Sequence, residues 1–409
     1  MTSSPTRLPR HALPVQRMRV AFVGTRGVAA GDSGAGTAVE EIGRRLVARG
    51  HEVTVYGSGL DVPATSRLGM RLVPLPALGD GNIGTVGRAA LAGARAALGQ
   101  KQDVAFLFDG SNAPALPLLR ARGTAVAVHL EGLEEQRGRW GAWGRRYCRF
   151  AERWSVRQAD ALIADVQSTA GHVHDAYGLP SELIGFGGRV VRNVPADALE
   201  ARGLVPGGFH LVVASFVPEH HVDVVLEGYR RSGATLPIVV VGSGPHRSAT
   251  TRRIEELAHA EPRIRLLGDV TDERLLDQLY AHAACYVHGH GVGGAHPSLL
   301  RAMGAGTAVI AWQVVFNREV VGTAGLYFAS PNQLAPLLTD VERYPLRFVD
   351  IGELLQERTR RLYDWDSVAE AYEALAVRLH RGFTTRGMSD GRRPAPVALP
   401  EPVAWHLPR

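Results

Sequence analysis

A short loop in the second half of the chain carries side chains that could bind a phosphate. The apolar run "LVVASF" (211–216) ends in Val-Pro-Glu-His-His and supplies Ser215, Glu219 and His220. Imidazole bonds phosphate when it is protonated, but an ordinary pKa of about 6.5 makes it a weak cation at neutral pH. Glu219 would orient a sugar, or it would cap the helix pattern that follows, because a helix dipole stabilises an N-terminal carboxylate. The loop thus predicts a ligand site without a fixed cation.

A second segment, "VHGHGVGGAHPS" (287–298), combines glycines with His288, His290 and His296. Glycines let backbone amides approach an anion closely, and the helix pattern that follows adds the amides of a helix N-terminus. Three histidines within nine residues would also suit zinc. The segment predicts a phosphate or sugar site, with a metal site as the weaker alternative.

Polar side chains also end two apolar runs in the first half. "AVAVHLEG" (125–132) supplies His129 and Glu131, and "VAFLFDG" (104–110) supplies Asp109. Side chains at the carboxyl ends of parallel strands face the ligand crevice of an α/β fold. Histidine and carboxylate side chains act there as acids, bases or sugar ligands. We assign these three residues to catalysis, with a purely structural role as the alternative.

Alternating strand and helix patterns must position these loops. Short apolar runs typical of buried strands alternate with amphipathic helix patterns in two series, which "ADALEARGLVPGG" (196–208) separates as a linker. Such alternation is typical of parallel sheets with helices on both faces. The sequence therefore predicts an α/β fold of two doubly wound, Rossmann-like domains that face each other across a cleft.

Pattern and composition also predict where the domains begin and end. The expected parts are a disordered tail (1–17), an N-terminal Rossmann-like domain (18–200), a C-terminal Rossmann-like domain (201–350), C-terminal helices (351–384) and a second disordered tail (385–409). Both tails lack an apolar core segment, and the second is rich in proline and arginine.

The glycine-rich segment after the first strand pattern does not fit a dinucleotide-binding enzyme. Gly24, Gly27 and Gly31 lack the G-x-G-x-x-G spacing. The second strand pattern ends at Tyr56 and Gly57 rather than at the acidic residue that binds ribose in such enzymes. A nicotinamide-dependent reaction is therefore disfavoured.

The composition indicates a basic globular protein. The formal net charge is +6, and Lys101 is the single lysine, so nearly all the positive charge is arginine. Such a surface attracts phosphorylated ligands or an anionic membrane. We see no basic stripe interleaved with aromatic residues, so nucleic acid is not an expected partner.

Cysteine usage and hydropathy favour the cytoplasm. Cys148 and Cys285 are far apart and each lies in an apolar context, as in reduced proteins. No apolar run approaches the length of about 18 residues that a membrane span needs. We expect a cytoplasmic protein, with peripheral contact at the inner face of the membrane as an open alternative.

Several motifs match one known family. They are "VGTRG" (23–27), "TAVEEI" (37–42), "LEGLEEQRGRWG" (130–141), "YVHGHGVGGAHPSLLRAMGAG" (286–306) and "FNREVVGTAGLYF" (316–328). Together they resemble the family 4 glycosyltransferases of GT-B fold, and within them the bacterial rhamnosyltransferase-like subgroup that builds cell-surface polysaccharides. The resemblance runs from about residue 18 to about residue 380. It implies that the first domain (18–200) binds the acceptor, that the second domain (201–350) binds the donor, and that the helices of 351–384 cross back to the first domain.

The resemblance implies transfer of a sugar from a nucleoside diphosphate with retention of configuration, without an obligatory metal or cofactor. The departing diphosphate gains negative charge, so the protein must supply preorganised donors there. Four motifs depart from the family pattern. Ser215 and His220 replace Arg and Lys, Arg301 replaces Glu, His296 replaces Asn, and residues 33–36 replace Gly-Gly-Phe-Glu.

The loops and the resemblance together give a predicted donor site. The residues assigned to it are Arg26, Gly34, Gly36, Thr37, Ser215, Glu219, His220, Gly242, His290, Gly293, Gly294, His296, Pro297, Ser298, Arg301, Arg318 and Glu319. Arg26, Arg301 and Arg318 are the candidates for the positive charge missing from the loop after residue 214. Arg301 would alternatively exclude the ribose.

The predicted function is transfer of a sugar, a deoxyhexose among the candidates, from a nucleotide-sugar to a saccharide, lipid-linked or natural-product acceptor. We expect no metal and no cofactor. Two alternatives stay open because the donor-site residues are altered. One is a non-catalytic homologue that acts as a partner protein. The other is an enzyme of specialised metabolism that joins an activated cyclitol or sugar to an unusual acceptor.

Overall fold

The apolar runs of the first half form one parallel sheet. The structure, a computed structural model, describes residues 17–25, 34–58, 66–76, 82–130, 142–245 and 248–385. The strands of the first sheet are β1 (Arg19–Thr25), β2 (Glu52–Ser58), β3 (Ser66–Arg67), β4 (Met70–Leu75), β5 (Val104–Phe108), β6 (Ala125–Leu130), β7 (Ala161–Ala164) and β8 (Glu182–Leu183). They lie in the order β3-β4-β2-β1-β5-β6-β7-β8, and β3 alone among them runs antiparallel to its neighbour.

Helices cover this sheet on both faces. They are α1 (Gly34–Ala48), α2 (Asn82–Leu98), α3 (Leu116–Ala121), α4 (Ala142–Gln158) and α5 (Gln167–Tyr177). Because strands such as β5 are apolar at every position and fully buried, both of their faces need a helical cover.

The second half repeats this design around a smaller sheet. Its strands are β9 (His210–Val213), β10 (Ile238–Val241), β11 (Ile264–Gly268), β12 (Cys285–His288), β13 (Val309–Trp312) and β14 (Leu326–Phe328). All are parallel, in the order β11-β10-β9-β12-β13-β14. The predicted α/β architecture of two doubly wound parallel sheets is confirmed.

The remaining helices belong to the second half and to the end of the chain. They are α6 (Asp197–Glu200), α7 (Val222–Arg231), α8 (Ala249–Ala260), α9 (Glu273–His282), α10 (Pro297–Gly304), α11 (Val315–Val321), α12 (Pro331–Arg343), α13 (Pro345–Leu362) and α14 (Trp365–His380). Among the described residues, none of the helices is both long and apolar enough to cross a membrane.

The last helix, α14, packs against α1 of the first domain. Arg45 Nε donates to Asp366 at 2.5 Å, and Arg49 pairs with Glu373 at 3.0 Å. On the inner side of α14, the ring of Tyr372 packs on the sheet. The C-terminal end of the described chain is thereby anchored to the domain that begins it.

The segment predicted as a linker (196–208) is held against the second domain. It contains α6, and the amide of Ala198 donates to Gln278 Oε1 on α9 at 2.8 Å. Arg274 of α9 also pairs with Asp197 at 2.6 Å. Because these bonds fix the segment, it connects the domains without acting as a free tether.

Candidate active site between the two sheets

The loop after β9 turns back sharply towards α7. Residues 218–220 form a 3-10 turn, and His221 follows with a φ of 48°. The ring nitrogen Nδ1 of His220 lies 2.9 Å from the carbonyl oxygen of Ser215. Ser215 is an exposed residue. Gly242, at the end of β10, packs so closely on Ala214 that a Cβ would collide with its carbonyl. Backbone packing thus fixes the histidine over the end of the sheet.

Four histidine rings pack together at this edge. The ring centroids of His220 and His290 are 3.8 Å apart, those of His288 and His290 are 4.3 Å apart, and those of His290 and His296 are 4.4 Å apart. Burial, with smaller contributions from His296 and His220, lowers the pKa of His288 well below its ordinary value. His288 is therefore a neutral ring at the base of the cluster.

The histidine cluster does not have the arrangement of a metal site. Among the described residues, no group of three or more His, Cys, Asp or Glu side chains is placed to hold a metal ion. His288 and His290 are parallel within 7°, so their faces stack. Nδ1 of His288 lies 3.2 Å from the hydroxyl of Tyr286.

The glycine-rich loop 289–296 meets the loop after β9. Gly291 donates its amide to the carbonyl of Glu219 at 2.8 Å, and Asn317 Nδ2 donates to the carbonyl of His290 at 3.0 Å. Gly293 has a φ of 125°, a conformation that glycine adopts without strain. The loop then enters α10, whose first turn begins with Pro297 and Ser298. Pro297 has no amide proton, and the amides of Leu299 and Leu300 both donate to the carbonyl of His296 at 3.1 Å. Because amides at a helix N-terminus bind anions, the amide of Ser298 is the first-turn donor that this junction offers to a phosphate.

Asp165 connects the first sheet to this loop. It follows β7, and its Oδ2 accepts a hydrogen bond from the amide of Ala295 at 2.7 Å. Gly294 has no side chain at the point where a Cβ would collide with the carboxylate. Burial raises the pKa of Asp165 to about 6, although hydrogen bonds from Ala295 and Thr169 oppose the shift.

A second carboxylate makes the reciprocal connection. Glu319 on α11 accepts hydrogen bonds from the amide of Ser168 at 3.0 and 3.2 Å. Ser168 is in the first turn of α5, where the helix dipole favours a carboxylate. Asp165 and Glu319, the interdomain carboxylates, therefore each bind a backbone amide of the opposite domain. Glu319, predicted to bind the donor, is engaged here in an interdomain contact.

Of the predicted cations, Arg301 and Arg318 lie within the described residues, and each has a partner of its own. Arg301 donates to Asp277 at 2.7 Å and pairs with Glu273 at 2.8 Å, so the carboxylates of α9 neutralise it. Arg318 is exposed, and its guanidinium lies 4.7 Å from the ring centre of Tyr327. Arg26 lies outside the described residues. The predicted role of Arg301 is to bind the phosphate. Its guanidinium is instead paired with Asp277 and Glu273, which does not match that role.

On the side of the first sheet, His129 is enclosed by aromatic rings. It is 1% exposed, its ring centroid is 5.1 Å from those of Phe108 and Phe186, and Nδ1 is 3.5 Å from the hydroxyl of Tyr372. Within the described part of the chain, Nε2 has no hydrogen-bond partner. Burial lowers the pKa of His129 to about 3, so the imidazole is neutral. Glu131, its predicted companion, lies outside the described residues.

Asp109 lies at the neighbouring strand end. Its Oδ1 accepts the amide of Ser111 at 2.8 Å and caps a 3-10 turn, with a φ of 70°. A positive φ is strained for a residue other than glycine, and such strain is common at functional sites.

Of the residues predicted in the first glycine loop, Gly34 and buried Gly36 lie in the first turn of α1, and Thr37 is exposed.

Three contributors to this edge are missing from the predicted site. Asp165 ends the run "ALIAD", so the strand-end rule that selected Asp109 would have found it. Trp312, at the end of β13, stacks on His221 with centroids 4.0 Å apart. Asn317 has no such signal, because its role depends on how α11 packs.

Each half of the chain matches a glycosyltransferase domain family. The family described as "Glycosyl transferase 4-like domain" matches residues 33–185. The family described as "Glycosyl transferases group 1" matches residues 209–341. No curated protein matches the chain by sequence.

Solved structures share the fold at low sequence identity. Sucrose-phosphate synthase from Thermosynechococcus elongatus superposes with a TM-score of 0.77 at 20% identity, covering 89% of this chain and 99% of that chain. HepE of Anabaena in complex with UDP gives a TM-score of 0.69 at 15% identity, covering 88% and 100%. A glycosyltransferase from Rickettsia africae gives 0.64 at 11% identity, covering 90% and 100%. The predicted GT-B fold is thus confirmed.

Proposed function

Residues 33–185 and 209–341 belong to glycosyltransferase domain families, and from that premise we propose that the protein transfers a sugar from a nucleoside diphosphate to an acceptor. The diphosphate binds at the carboxyl edge of the second sheet, and the acceptor binds to the first domain. In open α/β sheets, ligands bind outside the carboxyl ends of the strands.

One observation carries the proposal, namely the convergence of loops 214–221 and 289–298. The rings of His220 and His290 are 3.8 Å apart between centroids, and Gly291 bonds Glu219 through the backbone at 2.8 Å. Asp165 holds the second loop against the first domain. A polar site assembled by two loops and closed by the opposite domain suits a ligand that both domains must reach.

The first nucleotide to test is UDP. The structures of Anabaena HepE hold UDP, UDP with glucose, or UDP-glucose. The sugar itself is a proposal from sequence motifs alone, since "VGTRG" and "TAVEEI" resemble motifs of the rhamnosyltransferase-like subgroup, which makes a deoxyhexose one candidate. Retention of configuration, and the absence of a required metal or cofactor, rest on the same resemblance.

Charge stabilisation at this site would differ from that of a site built on arginine and lysine. Both loops lie wholly within the described residues, and neither contains Lys or Arg. The diphosphate is therefore held by backbone amides near the start of α10 and by the imidazoles of His220 and His296. Because imidazole gains charge below a pH of about 6.5, donor binding strengthens as the pH falls.

On the acceptor side we propose His129, Asp109 and Glu131 as the groups that position or deprotonate the acceptor hydroxyl. The neutral imidazole of His129 has a free Nε2 among the described residues. Asp109 directly follows Phe108, the residue of β5 that pairs with His129 on β6. General acid–base catalysis by such groups contributes about 10²–10⁴-fold.

A non-catalytic homologue is the second candidate, and the engaged Arg301 favours it. Without that arginine, a departing diphosphate has few preorganised donors, and rate depends on them. A protein that binds a nucleotide but does not cleave a nucleotide-sugar would serve as a partner for another transferase.

A thermal-shift panel tests the proposal. UDP, GDP, ADP, dTDP and UDP-glucose are each added at about pH 6 and about pH 8, which bracket the titration of imidazole. We expect one nucleotide to raise the Tm, more at the lower pH. Saturation at 100 times the Kd adds about 2.7 kcal/mol. If no nucleotide stabilises the protein at either pH, the proposal is wrong. Slow hydrolysis of the matching nucleotide-sugar would separate an enzyme from a non-catalytic binder.

A further inference from the structure

Helix α4 exposes two large aromatic side chains that the fold does not use. Phe150 is 59% exposed and Trp154 is 37% exposed. They are one helical turn apart, and their rings stack with centroids 5.8 Å apart. An exposed aromatic pair of this kind marks an interaction surface more often than a core position.

Arginines surround the pair on the same helix. Arg145, Arg146, Arg149, Arg153 and Arg157 are all exposed. Glu152, the one acidic residue of α4, accepts a hydrogen bond from the hydroxyl of Tyr177 at 2.6 Å and so is engaged with α5. The exposed surface therefore carries five formal positive charges without an exposed acidic residue of its own. We call these five arginines, with Phe150 and Trp154, the basic face of α4.

The basic face becomes visible only when the residues are placed on a helix, because helical geometry brings the arginines to one side. In the sequence "WGRRYCRFAERWSVRQ" (143–158), apolar and acidic residues separate the arginines, so no basic stripe is evident. In the structure, Cys148, Ala151, Ser155 and Val156 are buried, and the five arginines lie on the exposed side of the helix. The expectation that no basic stripe with aromatic residues exists is therefore wrong for this helix.

We propose that the basic face of α4 docks on an anionic lipid membrane. Arginines attract anionic headgroups, and aromatic rings insert at the boundary between headgroups and acyl chains. The shape favours a bilayer over nucleic acid. The two rings stack on each other along a convex helix, whereas single-stranded nucleic acid is held by rings that lie open in a groove for the bases.

The position of α4 connects this surface to the cleft. Tyr147 donates to the carbonyl of Ser111 at 2.8 Å, and Ser155 donates to the carbonyl of Gly110 at 3.3 Å. Both acceptors belong to the turn that Asp109 caps. A docked α4 would thus hold the acceptor side of the cleft near the membrane. On the proposed function, this position fits an acceptor anchored in lipid.

Vesicle co-sedimentation tests the docking without donor or acceptor, so its outcome does not depend on transfer activity. The full chain is mixed with vesicles of phosphatidylcholine alone, or of phosphatidylcholine with phosphatidylglycerol, at low and high salt. We expect binding only to the anionic vesicles, weakened by salt. Arg146→Gln, Arg153→Gln and Arg157→Gln together should weaken it by about 100-fold, at about fivefold for each arginine.

A matched control carries the same three charge changes elsewhere. Arg252, Arg347 and Arg361 are exposed arginines of α8 and α13, and their replacement by glutamine should leave vesicle binding unchanged. A second variant, Phe150→Gln with Trp154→Gln, keeps all charges and should reduce the binding that persists at high salt.

Three outcomes would overturn the proposal. They are equal binding to both kinds of vesicle, equal losses in the α4 and control variants, and tighter binding of a single-stranded oligonucleotide than of anionic vesicles through the same arginines. The last would reassign the face to nucleic acid.

Discussion

At the residue scale, the second sheet gathers polar side chains without a fixed positive charge. His220, His290 and His296 surround a neutral His288, and Arg301, one of the predicted cations, is bound to α9. Protonated imidazole is a good phosphate donor but is charged only in acid. Donor affinity should therefore depend on pH, and introduced cations should change it.

Restoring fixed charge to the loop after β9 should strengthen nucleotide binding. Ser215→Arg with His220→Lys adds two groups able to make charge-assisted bonds, worth about 1.5–3 kcal/mol each. Isothermal titration with the nucleotide selected by the thermal-shift panel should show at least about tenfold tighter binding at pH 8 and a smaller gain at pH 6. Arg252→Lys, far from the loop in sequence and exposed on α8, is the control. Unchanged affinity would place the diphosphate elsewhere.

Arg301 should matter for stability rather than for the nucleotide. Arg301→Ala removes its bonds to Asp277 and Glu273 and its contact with the ring of Tyr280. We expect the free energy of unfolding to fall by about 1–3 kcal/mol in urea titrations, with nucleotide affinity unchanged. Arg361→Ala, on exposed surface, should cost far less. Loss of nucleotide binding at unchanged stability would return Arg301 to the donor site.

His129 should make the folded state sensitive to acid. Its pKa is about 3 in the folded protein against an ordinary 6.5, so the unfolded chain binds the proton more tightly. The stability it confers is complete above pH 6.5 and is lost as the pH falls towards 3. In His129→Phe, the acid limb of a stability–pH profile should flatten, whereas His174→Gln, an exposed control on α5, should leave it unchanged. An unaltered limb in His129→Phe would show that burial of this imidazole does not govern the acid limb.

Measurement of kcat tests a catalytic role of His129, separately from its effect on stability. Once a substrate is known, His129→Ala and Glu131→Gln should lower kcat with little change in donor affinity, by about 10²–10⁴-fold if the groups act as acid or base. Full activity in both variants would leave His129 a structural residue.

At the element scale, the strands and their ends were the predictable part. Apolar runs such as "VAFLF" and "IVVV" became β5 and β10. Asp109 follows β5, as the strand-end rule predicts, whereas His129 lies inside β6. Strand β4, which lies between β3 and β2, escaped prediction because exposed Arg71 and Pro74 interrupt its apolar pattern. Contacts that depend on packing between elements, such as Arg301 with α9 or Asn317 with loop 289–296, have no local sequence signal.

The interdomain carboxylates should couple domain closure to pH. The pKa of Asp165 is about 6 when it is buried against Ala295, against an ordinary 3.8. The state with the higher pKa binds the proton more tightly, so acid favours the closed arrangement as the pH falls from about 6 to about 4. Small-angle scattering should show a decreasing radius of gyration over that range.

Two variants separate the contributions to closure. Asp165→Asn keeps an oxygen acceptor for Ala295 but cannot titrate, so the pH dependence should disappear. Glu319→Gln weakens the bond to Ser168 and should open the domains somewhat, while the dependence on pH remains. A pH response that survives in Asp165→Asn would assign the titration to another group.

At the scale of the whole molecule, the fold sets how the cleft would be oriented when the basic face of α4 contacts a membrane. α14 fixes the end of the described chain to the first domain through Asp366 and Glu373, so the second domain is tied to the first at both ends. The cleft lies between the sheets, and α4 places the basic face beside its acceptor side. A donor from solution and an acceptor at a surface could then reach the cleft from different sides.

The central claim is that the nucleotide binds between loops 214–221 and 289–298. Hydrogen–deuterium exchange with and without the selected nucleotide tests it most directly, because backbone amides are the proposed phosphate donors. We predict slower exchange in both loops and in the first turn of α10. The cavity of about 1050 Å³ at the opposite edge of the second sheet, lined in part by Gly207 and Thr235, should show no change. Protection confined to that cavity, or none in either loop at saturating nucleotide, would contradict the account.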